Sequence, residues 1–377
     1  MHICFLCNEF PLFSAKYGGI GIFVDTISKE LVGLDHTVSV VGIGQDEHNK
    51  VVSLDRRLII QLKKSKWKFA SFIDNSIRLN SVLYRVNRLR KISIIEGQEN
   101  SFAFILFEKK AKRIIRMHGG HFFFTKSENK KISWWKAFQE IISFKKADGF
   151  LSVSDYVSRI TQRYIDIGNK PVKTIYNSIN TKQFRVTDPL ISKEGLVLFI
   201  GTITPKKGVK QLLLAFRMVI KKFPNANLVL IGRDRLHNGL SYIDSLTLEF
   251  EDIREYFKFL GSINNKDLPT YIESASVCCC PSLMESFGII WGEILAMGKP
   301  LIASKTGPGP EVVKDGVTGI LCDPNSPEDI ASKIVHLMSN PDLARKLGNM
   351  GRVDILERFS AEHIVAKNVE FYKMISK

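Results

Sequence analysis

The sequence predicts an α/β protein of two doubly wound, Rossmann-like domains facing a central cleft. Three observations carry this. Short apolar strands alternate with helical segments along the whole chain, as in parallel sheets covered on both faces. The alternation restarts after the polar connector Val186-Thr-Asp-Pro-Leu-Ile-Ser-Lys-Glu-Gly195. The 377 residues, 45 % of them apolar, suffice for two cores of ordinary size.

In the first half, His2–Cys7 reads as a strand and Ile20–Val32 as an amphipathic helix stopped by Gly33. Strands are expected at Thr37–Gly42, Ile92–Ile95, Arg113–Met117, Gly149–Val153 and Val172–Tyr176. Ser154 is placed to cap a helix from Asp155 to Ile165. In the second half, strands are expected at Leu196–Ile200, Asn227–Ile231, Tyr256–Leu260, Val277–Cys280 and Pro300–Ala303. Helices are expected at Val209–Phe223, Ser241–Glu249, Ile289–Met297, Pro327–Met338 and Pro341–Arg358. The division is therefore 1–186, 187–358, and a terminal helix within 359–377 that crosses back to the first domain.

No run of about 18 apolar residues occurs, so no membrane span is expected. The start, Met1-His-Ile-Cys-Phe-Leu-Cys7, has no basic leader and is not read as a signal peptide. The six cysteines read as small buried hydrophobes of a reducing compartment. Cys4 and Cys7 stand three apart on a strand and face opposite sides, which does not suit a metal or redox pair.

The net charge of +16 is unevenly placed. Residues 1–185 hold 31 Lys and Arg against 16 Asp and Glu, whereas residues 186–377 hold 23 against 22. Within 56–91 there are eleven basic residues and one acid, Asp74. Leu58, Ile59, Ile60, Trp67, Phe69, Phe72, Ile73, Leu79, Leu83 and Tyr84 are interleaved with them. Two readings stand side by side: an ordinary solvated helix face, or a patch resting on anionic lipid, where each basic residue adds about 1 kcal/mol. No nucleic-acid-binding module is recognisable, so nucleic acid is not an expected partner.

The most informative segment is Glu285-Ser-Phe-Gly-Ile-Ile-Trp-Gly-Glu293. A strand-like run precedes it and an apolar helix follows. Glu285 then falls on the turn and Glu293 about one turn inside the helix. Between them lies a helix N-terminus whose free N–H groups welcome a phosphate. Two carboxylates flanking an anion site suit a ligand with a diphosphate in its middle and hydroxyls at both ends, the shape of a nucleotide-sugar.

With its tail, Pro281-Ser-Leu-Met-Glu-Ser-Phe-Gly288 through Gly298-Lys-Pro300, and with Gly307-Pro-Gly-Pro-Glu-Val-Val313 and Gly316-Val-Thr-Gly-Ile320, this segment resembles the retaining glycosyltransferases of family four. The resemblance spans nearly the whole chain and implies the GT-B fold. By resemblance, Glu285 contacts hydroxyls of the donor sugar and Glu293 holds the ribose hydroxyls. Backbone groups of Ser286, Phe287, Gly288, Ile289 and Ile290 meet the diphosphate and sugar. Gly201-Thr-Ile-Thr-Pro-Lys-Lys-Gly208 is similar to the family's G-R-x-x-x-x-K-G turn, in which Arg and Lys neutralise the leaving diphosphate. Lys207 matches the Lys, but Thr202 stands where the Arg is usual and brings no charge. Lys206, Arg233 and Arg116 are candidates to replace it. Leu230-Ile-Gly232-Arg233 resembles the strand end that lies against the nucleotide, and Phe259-Leu-Gly-Ser-Ile263 the segment that reads the base.

The first half resembles the family less tightly. Gly18, Gly19, Ile20 and Gly21 open a helix after the first strand and correspond to the loop near diphosphate and acceptor. They do not form a G-x-G-x-x-G fingerprint. In Arg116-Met-His118-Gly-Gly-His121, His118 matches a position that reaches the donor sugar. A histidine there can bond a sugar hydroxyl or stabilise positive charge through its ring. Ser152-Val-Ser-Asp155 and Ile175-Tyr-Asn-Ser-Ile-Asn180 match as architecture.

No D-x-D occurs, so the resemblance implies no metal and no other cofactor; Lys207 and helix-end dipoles take the ion's place. It also implies no protein nucleophile: the acceptor attacks from the leaving-group face, and the diphosphate helps take its proton. The expected activity is sugar transfer from a nucleotide-sugar to a saccharide or lipid-linked saccharide acceptor of a bacterial surface polysaccharide. The basic first domain would act as the acceptor-binding part and rest on the inner face of the cell membrane. A nucleotide-sugar epimerase of the same fold, and a non-catalytic nucleotide-sugar or membrane-binding module, remain the alternatives.

Overall fold

Strand β1, His2–Leu6, is buried at every position, as befits the middle of a parallel sheet. The computed structural model describes residues 1–13, 18–44, 46, 48–65, 71–106, 110–128, 130–186 and 193–377. The chain divides into two compact units, Met1–Ser178 with Ala361–Lys377, and Ile179–Ser360.

The first unit holds an eight-stranded sheet. To β1 are added β2 Thr37–Ile43, β3 Lys50–Leu54, β4 Arg57–Leu62, β5 Ile94–Gly97, β6 Lys112–Met117, β7 Gly149–Ser152 and β8 Val172–Thr174. The order is β3-β4-β2-β1-β5-β6-β7-β8, and only the β3–β4 pair is antiparallel. Strand β1 sits centrally, with His2 beside Thr37 and Ile3 beside Ile94. The Gly19–Gly33 helix and the terminal Ala361–Ser376 helix bury Phe23, Ile27, Leu31, Ile364, Phe371 and Tyr372 in one core over this sheet. A buried polar knot joins the terminal helix to the strands. Arg116 bonds Glu96 at 2.7 and 3.2 Å and also Asn368, and Tyr372 donates to Glu96 at 2.6 Å. Removing one member of such a buried pair costs about 3–5 kcal/mol, because the partner charge is stranded. Ser154 accepts from Val157 N at 3.1 Å and caps its helix as the sequence suggested.

The hairpin β3–β4 was not foreseen. Asp55 and Arg56 both have positive φ, 49° and 60°, which is what a two-residue hairpin loop with the right twist demands. Much of the basic stretch is thereby core. Ile59, Ile60 and Leu83 are buried, and so is Arg57, held by Asp25 at 2.8 Å, Ser28 at 2.7 Å and Asp55 at 3.0 Å. The rest of the stretch forms the helix Ser71–Leu89. Trp67 and Phe69 lie outside the described residues.

The second unit holds a parallel six-stranded sheet of β9 Leu196–Ile200, β10 Asn227–Ile231, β13 Phe257–Phe259, β14 Val277–Cys280, β15 Leu301–Ser304 and β16 Ile320–Cys322, in the order β13-β10-β9-β14-β15-β16. The remaining pair, β11 Leu236–His237 and β12 Leu240–Ser241, is a small separate hairpin. This unit starts at Ile179, ahead of residue 187. Ile179 N donates to Phe359 O at 2.8 Å, and a Cβ on Gly292 would collide with the Ile179 side chain, so the segment is fastened well before the connector. Connector residues 187–192 lie outside the described residues. All six cysteines are free and buried, and burial pushes the Cys4 and Cys7 thiols up to about 12, which leaves them unreactive.

Candidate active site

In an open parallel sheet, ligands collect beyond the carboxyl ends of the strands. In the second unit, Lys207 follows β9 and Glu285 follows β14, and these strands are neighbours. Their loops are tied together by Met284 N donating to Lys206 O at 3.1 Å. The family resemblance implies separate tasks for Lys207 and Glu285; in the structure they form an ion pair with each other, and Ser282 Oγ also donates to Glu285 at 3.2 Å. Both side chains stay partly exposed, at 20 % and 11 %, so an entering ligand can reach them.

Beyond Glu285 the chain turns at Gly288, where φ is +82° and a Cβ would collide with the Trp291 ring. Only glycine takes this turn without strain. Trp291 is locked by donating Nε1–H to Cys280 O at 3.1 Å, and Phe287 is buried against Phe359 with ring centroids 5.7 Å apart. The helix Ile289–Ala296 begins here with no side chain capping it. Ser286, Ile289 and Ile290 are half-buried around that helix end.

Glu293 points inward from the same helix and is 5 % exposed. Burial pushes its carboxyl up to about 8, opposed by a hydrogen bond from the Asn265 side chain. Asn265 is itself held by Gln183, whose Nε2 donates to its backbone oxygen at 2.8 Å and its side-chain oxygen at 2.6 Å. Neither Asn265 nor Gln183 belongs to a motif, and sequence reasoning missed both. Gly201 and Thr202 end β9, and Gly232 and Arg233 end β10. Gly201 N donates to Ile231 O, Ile203 N to Arg233 O, and Gly232 N to Gly261 O, each at 2.9 Å. Ile263 follows Gly261, half-buried, after β13. All these second-unit candidates thus share one sheet edge. Lys206 and Arg233 share it too. Arg116 does not: it is spent on Glu96 in the core of the first unit and cannot stand in for the missing Arg at Thr202.

A cavity of about 630 Å³ lies at the opposite edge of this sheet, where the strands begin. It is lined by Val186 and Glu194, which flank the undescribed connector, and by no candidate residue.

In the first unit, His118 follows β6, buried, with its ring edge-on to Phe23 at 5.9 Å. Burial, and secondly the Arg116 charge, push it down to about 3. The ring is therefore neutral at any ordinary pH, which suits a hydrogen bond or a cushion for positive charge. His121 is structural, joined to Thr125 at 3.1 Å and to Ser133 N at 2.9 Å. Gly18, Gly19, Ile20 and Gly21 open the first helix, but a neighbour within the chain accounts for the glycines at both ends. A Cβ on Gly18 would press on the Glu9 carboxylate, and one on Gly21 would collide with Glu9 O. Ser14–Tyr17 of this loop lie outside the described residues. Two buried acids without any sequence signal, Glu99 and Glu140, crowd the turn that follows His118. Among the described residues, no group of three or more His, Cys, Asp or Glu could hold a metal ion.

Comparison with known proteins agrees along the chain. Residues 181–354 match the family model for Glycosyl transferases group 1, and residues 17–183 that for Glycosyltransferase Family 4. An uncharacterized glycosyltransferase of Methanocaldococcus jannaschii is 24 % identical over 95 % of each chain. Spore coat protein SA of Bacillus subtilis is 24 % identical over 99 % of each. Among solved structures, sucrose-phosphate synthase from Thermosynechococcus elongatus has a TM-score of 0.85 at 21 % identity, over 99 % of this chain and 98 % of that one. Anabaena HepE in complex with UDP and glucose has a TM-score of 0.79 at 17 % identity, over 99 % and 100 %. At these identities the structural likenesses show the fold.

Proposed function

The chain is a glycosyltransferase belonging to family 4, with the GT-B fold, and we propose that it is a retaining enzyme moving a sugar from a nucleotide-sugar to a lipid-linked saccharide. One observation carries the reading of the donor site. A buried carboxyl, Glu293, sits one turn inside an uncapped helix whose mouth is flanked by the Lys207–Glu285 pair.

The chemistry follows from those parts. Glu293 accepts the ribose hydroxyls, a charge-assisted contact. The first amides of the Ile289–Ala296 helix receive the diphosphate. Entry of the donor loosens the Lys207–Glu285 pair: the carboxylate takes sugar hydroxyls and the ammonium takes phosphate oxygens. As the bond from the anomeric carbon to the diphosphate oxygen breaks, charge grows on the diphosphate, where Lys207 and the helix end oppose it. The acceptor oxygen bonds to that carbon from the same face, and its proton passes to a diphosphate oxygen. The neutral His118 ring cushions the positive sugar carbon. Orientation and electrostatics supply the rate, with no metal and no covalent protein intermediate in the scheme.

For the acceptor side, the support is an exposed aromatic surface on the first unit. On the Ser71–Leu89 helix, Ile73, Ile77 and Tyr84 lie on one outward stripe. Phe72 packs on Phe104 and Trp135, Trp135 meets Trp134 and Phe138, and Trp134 is 77 % exposed. Exposed Lys130, Lys131 and Lys136 stand beside it in the chain. Aromatic rings among lysines suit the headgroup layer of an anionic membrane. No helix among the described residues is long and apolar enough to cross a membrane, so the association proposed is peripheral, at the inner face of the cell membrane.

The test is donor turnover with a membrane extract. Release of nucleoside diphosphate with labelled sugar appearing in lipid is the expected result. Epimerised donor, or binding without release, would replace this reading by one of the alternatives.

A further inference from the structure

Glu99 and Glu140 are buried acids that the scheme above leaves without a task. Glu99 follows β5, and Glu140 lies on the Trp134–Lys146 helix. Both are more than nine-tenths buried. Together they occupy the turn that follows β6. Glu99 accepts from the amides of His118 and Gly119. Glu140 accepts from His121 N and, at 3.0 Å, from Phe122 N. Gly120 stands between these amides; a Cβ there would collide with Glu140 Oε1 and press on Glu99 Cγ. The two acids therefore approach the same point from two elements. One oxygen of each, Oε1, has no hydrogen-bond partner, and neither acid pairs with a cation among the described residues.

Two ionised carboxylates buried side by side repel each other and strand both oxygens. A single proton on the pair removes that repulsion and turns one carboxyl into a donor. We propose that Glu99 and Glu140 share one proton and act as a positioning pair, clamping the turn from His118 to Phe122 and so fixing the His118 ring. This rests on the role given to His118 above. The titration directions agree: burial first, then the Glu140 charge, pushes Glu99 up to about 8, and burial pushes Glu140 up to about 7. The other titratable groups around the turn do not compensate a second negative charge. His118 and His121 are both shifted down and neutral, Lys136 acts on His121, and Arg116, which acts on His118, is paired with Glu96. When the pair gives up its proton at alkaline pH, the clamp carries two like charges and the His118 turn loosens.

The experiment uses the full chain with Glu140→Gln, Glu99→Gln and Glu140→Ala, measuring kcat and donor KM against pH. Glu140→Ala should lower kcat about tenfold or more while donor KM changes less than about threefold. Glu140→Gln, whose amide donates as the proton did, should recover most of kcat and lose the alkaline limb of the profile. Wild-type kcat in a folded Glu140→Ala protein would overturn the proposal, as would an unchanged alkaline limb in both Gln variants. Infrared spectroscopy supplies a readout apart from turnover. In a Glu293→Gln background, which removes the other raised carboxyl, the protein should show a protonated-carboxyl band at neutral pH that a further Gln at either Glu99 or Glu140 removes, and its absence in that background would overturn the shared proton. Should the protein release no diphosphate from any donor, the role of His118 falls, while the infrared band still decides the pair.

Discussion

Two turns of this molecule have the same plan and opposite fates. In each, a parallel strand ends, a glycine follows and a helix begins. After β14 the helix starts behind Gly288, and among the described residues no side-chain hydrogen bond caps it. After β6 the helix His121–Ser127 starts behind Gly120, and the amides of its turn are already taken by Glu99 and Glu140. The first leaves its positive end open to the anion of the proposed donor, whereas the second is met by the chain's own carboxyl groups. A glycine at a strand end therefore marks where backbone can come close to something. Whether that something is a ligand or the chain's own carboxylates depends on groups far away in sequence. The Gly18–Gly21 loop makes the same point, since Glu9 crowds it from inside the fold.

Breaking the open turn should hurt activity most. Lys207→Ala removes the cation at its mouth and should lower kcat about a hundredfold, with less effect on donor affinity. Equal losses in kcat and affinity would deny it a role on the leaving group. Glu293→Ala should weaken nucleotide binding by about 1.5–3 kcal/mol in calorimetry, the worth of a hydrogen bond to a charged group. The pH dependence sharpens the contrast. Glu293 is raised from 4.5 to about 8 by burial in the free protein, so accepting ribose hydroxyls should expel its proton. Affinity should rise with pH until about 8 and then level off, whereas Glu293→Gln should show no such slope. Stability runs the other way. A raised carboxyl is unburdened at acid pH, and the free fold loses stability as pH rises from 4.5 through about 8. Glu293→Gln should therefore melt higher than wild type at alkaline pH and nearly match it at acid pH. The smallest effect concerns the surface: Ile77→Ser with Trp134→Ser should reduce sedimentation with anionic vesicles, by about 1 kcal/mol or more given the apolar area removed. Unaltered sedimentation would remove the lipid surface from the account.

The open turn could be read from the sequence because all its parts are local. Glu285, Gly288 and Glu293 fall within one turn and one helix, and helical spacing alone places them. Most strands of both sheets were legible for the same reason, as uninterrupted apolar runs such as Leu196–Ile200 and Val277–Cys280. The hairpin β3–β4 was not, because Arg57 reads as a solvated charge until Asp25, Ser28 and Asp55 are seen to surround it. Glu99 and Glu140 were hidden because a long loop and several elements separate them, and a lone acid on an amphipathic helix carries no signal. Asn265 reaches Glu293 from another strand's loop in the same way.

In the proposed reading, the helix behind Gly288, with Glu293 one turn inside, grips the nucleotide of an activated sugar. A thermal-melting panel of nucleoside diphosphate sugars on wild type and Glu293→Ala tests it most directly, since a ligand that binds the folded state raises the melting point. At least one donor should stabilise wild type, and the variant should lose most of that shift. An equal shift in both proteins would contradict it.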